Sequence, residues 1–228
     1  MLFIRPFFES LAPQAIAITV QTEALELQHW TKNQVRFPER DVAAMAIHRQ
    51  LEHFSVDSAL QGMGFKVNQL QVIHDNNRKP LIRSQSQDFA DQAISIAHHT
   101  EGNICHVFVA IGPNLIGCDI ESERVSLKRV AHRVMSTEEG NADSLLGNLC
   151  AIWTVKESMF KALGPGLDFK TDLRVVLPNN WNPALESSWI IEGFVRNRQS
   201  FWKIWKRKSP INNSMMWMCC GPLPESLT

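Results

Sequence analysis

Tyrosine is missing altogether from the 228 residues, whereas tryptophan occurs seven times and phenylalanine twelve. Aromatic packing therefore falls to those two side chains. Cysteine is sparse: Cys105, Cys118, Cys150, Cys219 and Cys220 make an odd count with no Cys-x-x-Cys spacing. That argues against a disulfide framework and against a thiolate zinc site. Net charge is also missing, since 23 basic residues balance 23 acidic ones, which excludes a globally basic nucleic-acid binder. No apolar run reaches the ~18 residues that cross a bilayer. The opening Met1-Leu2-Phe3-Ile4-Arg5-Pro6 lacks a charged leader followed by a long apolar stretch. The expected setting is the reducing cytoplasm, with no membrane or nucleic-acid partner. What the chain does have is 44% hydrophobic and 20% charged residues, enough to bury a core.

The periodicity mixes both kinds of element. Residues 15–20 predict a strand. Val42, Met45, Ala46, Arg49 and His53 recur at helical spacing and predict a helix over 39–54, with Pro38 at its start. Gln61-Gly62-Met63-Gly64 is a break, 65–74 a strand, and Asp75-Asn76-Asn77 a turn. Residues 94–98 and 104–111 read as strands. Gly112-Pro113-Asn114 then predicts a hairpin back into 115–121. A basic helix is expected over 124–134, and Ser136 with Glu139 has capping-box spacing. The longest helix is expected over 143–163, stopped by Gly164. Strands follow near 172–177, 188–196, 200–206 and 214–220. Arg196 to Lys208 alternates with period two, which predicts paired strands with one exposed charged face. A helix followed by strands thus occurs twice. The expected fold is α+β, in two pseudo-symmetric lobes, each a small antiparallel sheet packed with a long helix. The expected bounds are 1–114 and 115–228, with the active cleft between them.

The residues with chemistry concentrate in the second lobe. Asp119 and Glu121 lie two apart on a strand and share a face. Glu157 and Lys161 lie four apart and share a helix face. Singly, each pair reads as solvated surface. Together, three carboxylates suit a hard divalent cation, which takes oxygen ligands from protein and phosphate.

The set resembles the 4′-phosphopantetheinyl transferases of the large, two-lobed type that activates carrier proteins of peptide and polyketide synthases. Gly117-Cys118-Asp119-Ile120-Glu121 is similar to that family's G-[IV]-D-[IV]-E. Trp153-Thr154-Val155-Lys156-Glu157-Ser158 with Lys161 is similar to W-x-x-K-E-[SA]-x-x-K, and Gly164-Pro165-Gly166-Leu167 to the G-x-G-L that follows. Arg78-Lys79-Pro80 resembles [GR]-K-P, and Ser95-Ile96-Ala97-His98-His99 resembles N-[IL]-S-H-S. Ala97 and His99 stand where serine is usual, and Cys118 replaces a branched aliphatic residue. The resemblance runs over about residues 75–170.

The resemblance implies a monomeric, Mg²⁺-dependent enzyme (Mn²⁺ being the other candidate ion). It would move phosphopantetheine from coenzyme A to a serine of an apo carrier protein and release adenosine 3′,5′-bisphosphate. By position, Asp119, Glu121 and Glu157 would hold the metal. Glu157 would also be the base, and Lys161 would meet the leaving phosphate. Lys156 would face the pyrophosphate, and Lys79, Pro80 and His98 the nucleotide half. The partner of His98 at the 3′-phosphate would be Lys32, Arg36 or Arg40. The basic segment 124–134, with Val125, Val130 or Met135, would meet the acidic helix of the carrier. Two other functions share this donor set: a Mg²⁺-dependent phosphohydrolase, and a carrier-binding module without turnover.

Overall fold

The computed structural model describes residues 7–12, 15–30, 36–66, 68–84, 92–113, 115–140, 145–209 and 212–224. The chain divides into two units, Met1–Ile116 and Gly117–Thr228. Each is an antiparallel sheet with one long helix, so the fold is α+β with two lobes. Among the described residues no helix is long and apolar enough to cross a membrane.

The first unit holds strands β1 (Phe7–Ala12), β2 (Ala15–Glu23), β3 (Leu70–His74), β4 (Pro80–Ser84), β5 (Gln92–Glu101) and β6 (Ile104–Pro113). Their order across the sheet is β1-β2-β6-β5-β4-β3. Helix α1 (Ile47–Gly62) covers one face. Alternation along β6 sends Cys105, Val107, Val109 and Ile111 into a core with Leu51, Val56, Ala59 and Leu60 of the helix. The helix lies about two turns later than the expected 39–54. The Asp41 side chain accepts from the Ala44 amide and closes a separate 3₁₀ turn at Val42–Ala44. Met45 and Ala46 are then extended, so helical geometry restarts only at Ile47.

The second unit holds β7 (Gly117–Ser122), β8 (Leu173–Val176), β9 (Ser188–Val195), β10 (Arg198–Lys208) and β11 (Met215–Gly221), in the order β7-β11-β10-β9-β8. The expected hairpin between 104–111 and 115–121 does not form. Both edges of β6 are taken, by β2 and β5, and the true hairpin is β5–β6 around Gly102, whose φ of +59° suits its lack of a side chain. Strand β7 pairs instead with β11, Asp119 opposite Cys219. The expected helix 124–134 is broken into a 3₁₀ turn, Val125–Arg129, and one α-turn, α2 (Ala131–Val134). Neither start has a side-chain cap. The longest helix, α3 (Leu146–Leu163), ends at Gly164 with φ +91°. It buries Leu149, Ile152, Val155 and Met159 against Ile191, Trp202, Ile204 and Cys219 of the sheet. The charged face expected on β10 is only partly exposed. Lys206 is 5% exposed, with its Nζ 2.7 Å from Glu123 Oε1 and 5.1 Å from the centre of the Trp217 ring.

A buried histidine in the first unit makes acid stability predictable. His106 is fully buried, and neither ring nitrogen bonds any described residue. Burial first, and His99 second, hold its pKa down at about 4, with Glu101 opposing. The unfolded chain takes up the proton near 6.5, the folded chain only near 4. Stability from this group is therefore present above pH 6.5 and lost as pH falls toward 4, by about 3 kcal/mol. Chemical denaturation at pH 7 and pH 4 should show that much less acid loss in His106→Leu than in the wild type. An equal loss in both would contradict it.

Candidate functional site

Strand β7 is the outer strand of its sheet, and its acidic face does not point to water. Gly117, Asp119 and Glu121 alternate toward α3, while Cys118 and Ile120 on the other face are 0% and 1% exposed. The register is held by Gly117. A Cβ there would stand 1.9 Å from the Ser158 carbonyl oxygen and 2.7 Å from the Ala162 amide nitrogen, so only glycine lets the strand lie this close to the helix. This contact brings Asp119 under the last turns of α3. Lys161 Nζ lies 2.6 Å from Asp119 Oδ1, a pair that is 31% and 8% exposed. Glu157, one turn earlier on α3, joins the same electrostatic group.

Three acids and one lysine leave an excess of negative charge. Glu121 is pushed up to about 7 by burial and then by Asp119, against the pull of Arg124. Glu157 is likewise pushed up to about 7 by burial and Asp119, against Lys161. Lys161 is raised: burial lowers it, but Asp119 and the other neighbouring negative groups outweigh burial. Asp119 Oδ2 is buried and accepts no hydrogen bond from a described residue. An orphaned carboxylate oxygen between repelling acids, with oxygen as the only donor type, fits a hard divalent cation. As they stand, no three Asp, Glu, His or Cys side chains among the described residues converge closely enough to enclose an ion. Positive charge at the site comes from the ammonium of Lys161 beside Asp119 and the guanidinium of Arg124 beside Glu121.

Sequence reasoning missed Arg124 here. Expected to face a partner, its Nη2 lies 3.1 Å from Glu121 Oε2. The i,i+3 spacing was the available signal.

Lys156 departs from expectation. Its side chain is 0% exposed, and its Nζ lies 2.6 Å from Glu139 Oε2, 2.8 Å from the Val134 carbonyl and 2.8 Å from the Phe169 carbonyl. All three ammonium hydrogens are spent inside the protein, so Lys156 is a strut and not a pyrophosphate ligand. Its partner Glu139 also closes the capping box: the Ser136 amide donates to Glu139 Oε2 at 2.8 Å, and the Glu139 amide to Ser136 Oγ at 3.3 Å. Glu139 Oε1 accepts from the Val175 amide at 2.7 Å.

In the first unit, Lys79 and Pro80 follow a turn in which Asp75 Oδ1 accepts from the amides of Asn77 and Lys79. His98, on β5, is 39% exposed, with its Nδ1 3.6 Å from Glu52 Oε1, while Arg49 donates to Glu52 Oε2 at 2.8 Å. Of these two residues of α1, Arg49 was read only as part of the helical spacing and Glu52 was not singled out. Ala97 lies on the opposite face of β5 from His98 and is 2% exposed, so its methyl is packed. Of the three candidate partners for His98, Arg36 is committed elsewhere. It is fully buried, 3.0 Å from Asp57, and donates to the carbonyls of Leu70 and Phe65. Arg40 is exposed. Lys32 lies outside the described residues.

Residues 115–212 match the family model of the 4′-phosphopantetheinyl transferase superfamily. The match takes in β7, α3 and most of the second sheet. The motifs at 78–80 and 95–99 lie ahead of it. No curated protein matches the chain.

Proposed function

We propose that this chain, whose residues 115–212 match the family model of the 4′-phosphopantetheinyl transferase superfamily, belongs to that superfamily and transfers phosphopantetheine from coenzyme A to a serine of an apo carrier protein. The observation that carries the reading is the Asp119–Lys161 contact at 2.6 Å, flanked by Glu121 and Glu157 and lying within the matched residues.

Mg²⁺, or Mn²⁺ in its place, would be held by Asp119, Glu121 and Glu157 and would neutralise pyrophosphate charge. Glu157 is also the base assigned to take the serine proton, directly or through a water. The serine oxygen–phosphorus bond forms as the bridging phosphorus–oxygen bond of the pyrophosphate breaks. The released adenosine 3′,5′-bisphosphate carries the new charge, and Lys161 stabilises it. Lys79, Pro80 and His98 are assigned to the nucleotide half, with exposed Arg40 or Lys32 beside His98 at the 3′-phosphate. Lys156 is left out of this list because its ammonium has no hydrogen to spare.

Purified protein with Mg²⁺, coenzyme A and an apo carrier should raise the carrier mass by one phosphopantetheine group. One bisphosphate should be released for each group transferred. An unchanged mass across several carriers, with the protein folded, would overturn the proposal. Bisphosphate release without any carrier would mark a phosphohydrolase. Tight coenzyme A binding without turnover would mark a non-catalytic carrier-binding module.

A further inference from the structure

The indole of Trp153 lies beside the acidic site and has no part in the chemistry assigned above. Its ring is half-buried, but its Nε1 is fully buried and donates to no described residue. An N–H shut away from water without an acceptor is costly, and a phenylalanine would fill a packing position without that cost. The donor calls for an acceptor.

The place of Trp153 on α3 supplies one. It lies four residues before Glu157, so the two share a flank of the helix. On Glu121 of β7, burial and Asp119 push the pKa up, while Arg124 and the Trp153 indole pull it down. The indole thus stands close to Glu121, although its N–H is not aligned to donate. Arg124 meets Glu121 Oε2 at 3.1 Å, but its side chain is 42% exposed. A long, solvated side chain fixes a carboxylate poorly, because holding it still costs rotamer entropy. A packed ring holds its donor in one place.

The ring of Trp153 is itself supported. Phe169 lies against it with ring centres 6.2 Å apart, and Phe160 lies against Phe169 at 5.4 Å. The Phe169 carbonyl accepts from Lys156 Nζ at 2.8 Å, and that ammonium is fixed in turn by Glu139. Just before Phe169, Asp168 accepts from the amides of Lys170 and Thr171. The buried strut therefore ends at the ring that backs the indole.

We propose that Trp153 is a positioning residue for the metal site: its indole N–H orients the Glu121 carboxylate toward the cation, and Phe169, pinned by Lys156, fixes the indole. An indole N–H only donates, which matches a ligand that only accepts. The inference rests on Glu121 as a metal ligand and adds the group that aims it. Carboxylates that ligate metals are themselves hydrogen-bonded, and losing such a partner costs roughly 10–100-fold in metal affinity.

The test follows the indole directly. Seven tryptophans give seven indole signals in the nitrogen-15 NMR spectrum, and the one lost in Trp153→Phe belongs to Trp153. Added Mg²⁺ should move that signal downfield as the N–H engages the carboxylate. Trp153→Phe should need roughly 10–100-fold more Mg²⁺ to raise its melting temperature and to reach half-maximal transfer. At saturating Mg²⁺ its kcat should largely recover, with KM for coenzyme A unchanged. Phe169→Leu keeps the N–H but loosens the ring, and should shift the Mg²⁺ dependence the same way by a smaller factor. An unmoved Trp153 signal while others respond to Mg²⁺, or unchanged Mg²⁺ affinity in Trp153→Phe, would overturn the inference and leave Glu121 as a ligand. A loss of kcat that Mg²⁺ does not restore would reduce the indole to packing. A signal moved by coenzyme A alone and not by Mg²⁺ would place the N–H on the substrate and equally overturn it. A wild type whose spectrum and melting temperature ignore Mg²⁺ would overturn the metal site together with this inference. Should Trp153→Phe not fold, the signal is assigned by its proximity to the Phe169 ring, and the wild-type titration decides.

Discussion

Replacing Asp119 by asparagine should lower transfer by about a thousandfold, the scale on which a single preorganised electrostatic group acts, while the protein stays folded. Asp119 sits in mid-strand with its side chain 8% exposed, 2.6 Å from Lys161. After burial, its negative charge is the largest cause of the high pKa of both Glu121 and Glu157. Neutralising it therefore has opposite effects on function and on stability. A hard-cation ligand is lost, and so is the partner that holds Lys161 in place. At the same time, repulsion between Asp119 and the other two acids is relieved, and Glu157 remains one turn from Lys161 to balance its charge. The melting temperature of the variant should match or exceed that of the wild type in the absence of metal. Added Mg²⁺ should raise the melting temperature of the wild type and leave that of the variant unmoved. Full activity in the variant, or an equal Mg²⁺ shift in both, would remove Asp119 from the metal role. Unfolding of the variant would show that the pair with Lys161 is structural.

Elements whose evidence lies in their own residues were legible before the structure. The stripe Leu149, Ile152, Trp153, Phe160 and the stop at Gly164 define α3, and the apolar-rich stretches 188–196 and 214–220 define β9 and β11. What could not be read depends on distant partners. Strand β7 looked like the return arm of a hairpin because 104–121 is locally ideal for one. Its true partner lies about a hundred residues later, since both edges of β6 are occupied. The resemblance put Lys156 at the pyrophosphate by its position in the motif. Its burial follows from Glu139, which the residues alone marked only as a capping acid. The acidic pair on β7 and the Glu157–Lys161 pair on α3 could each be placed on a face from spacing. That the two faces meet depends on one close backbone contact, which spacing does not encode.

That contact underlies the second large effect expected: Gly117→Ala should cost about 3 kcal/mol or more of stability and most of the activity. The added methyl would stand 1.9 Å from the Ser158 carbonyl oxygen, 2.7 Å from the Ala162 amide nitrogen and 2.9 Å from the Ala162 Cβ. Two of those three atoms are helix backbone, so no rotamer change can relieve the clash. The strand must back away from α3 or the helix must shift. Either movement separates Asp119 from Lys161 and Glu157, and a displacement of ~1 Å at reacting groups costs about a hundredfold in rate. Gly102→Ala is the matching control. Its φ is +59° and no atom lies within 4 Å of the new methyl, so it carries only the left-handed backbone penalty, ~1 kcal/mol, and leaves the site alone. Urea denaturation and transfer assays on the two variants separate the effects. Stability loss without activity loss in Gly117→Ala, once corrected for folded fraction, would show that β7 and α3 need not touch for the chemistry. Loss of both, against an active Gly102→Ala, would identify this glycine as the spacer that sets the distance between the acidic strand and the helix bearing Glu157 and Lys161.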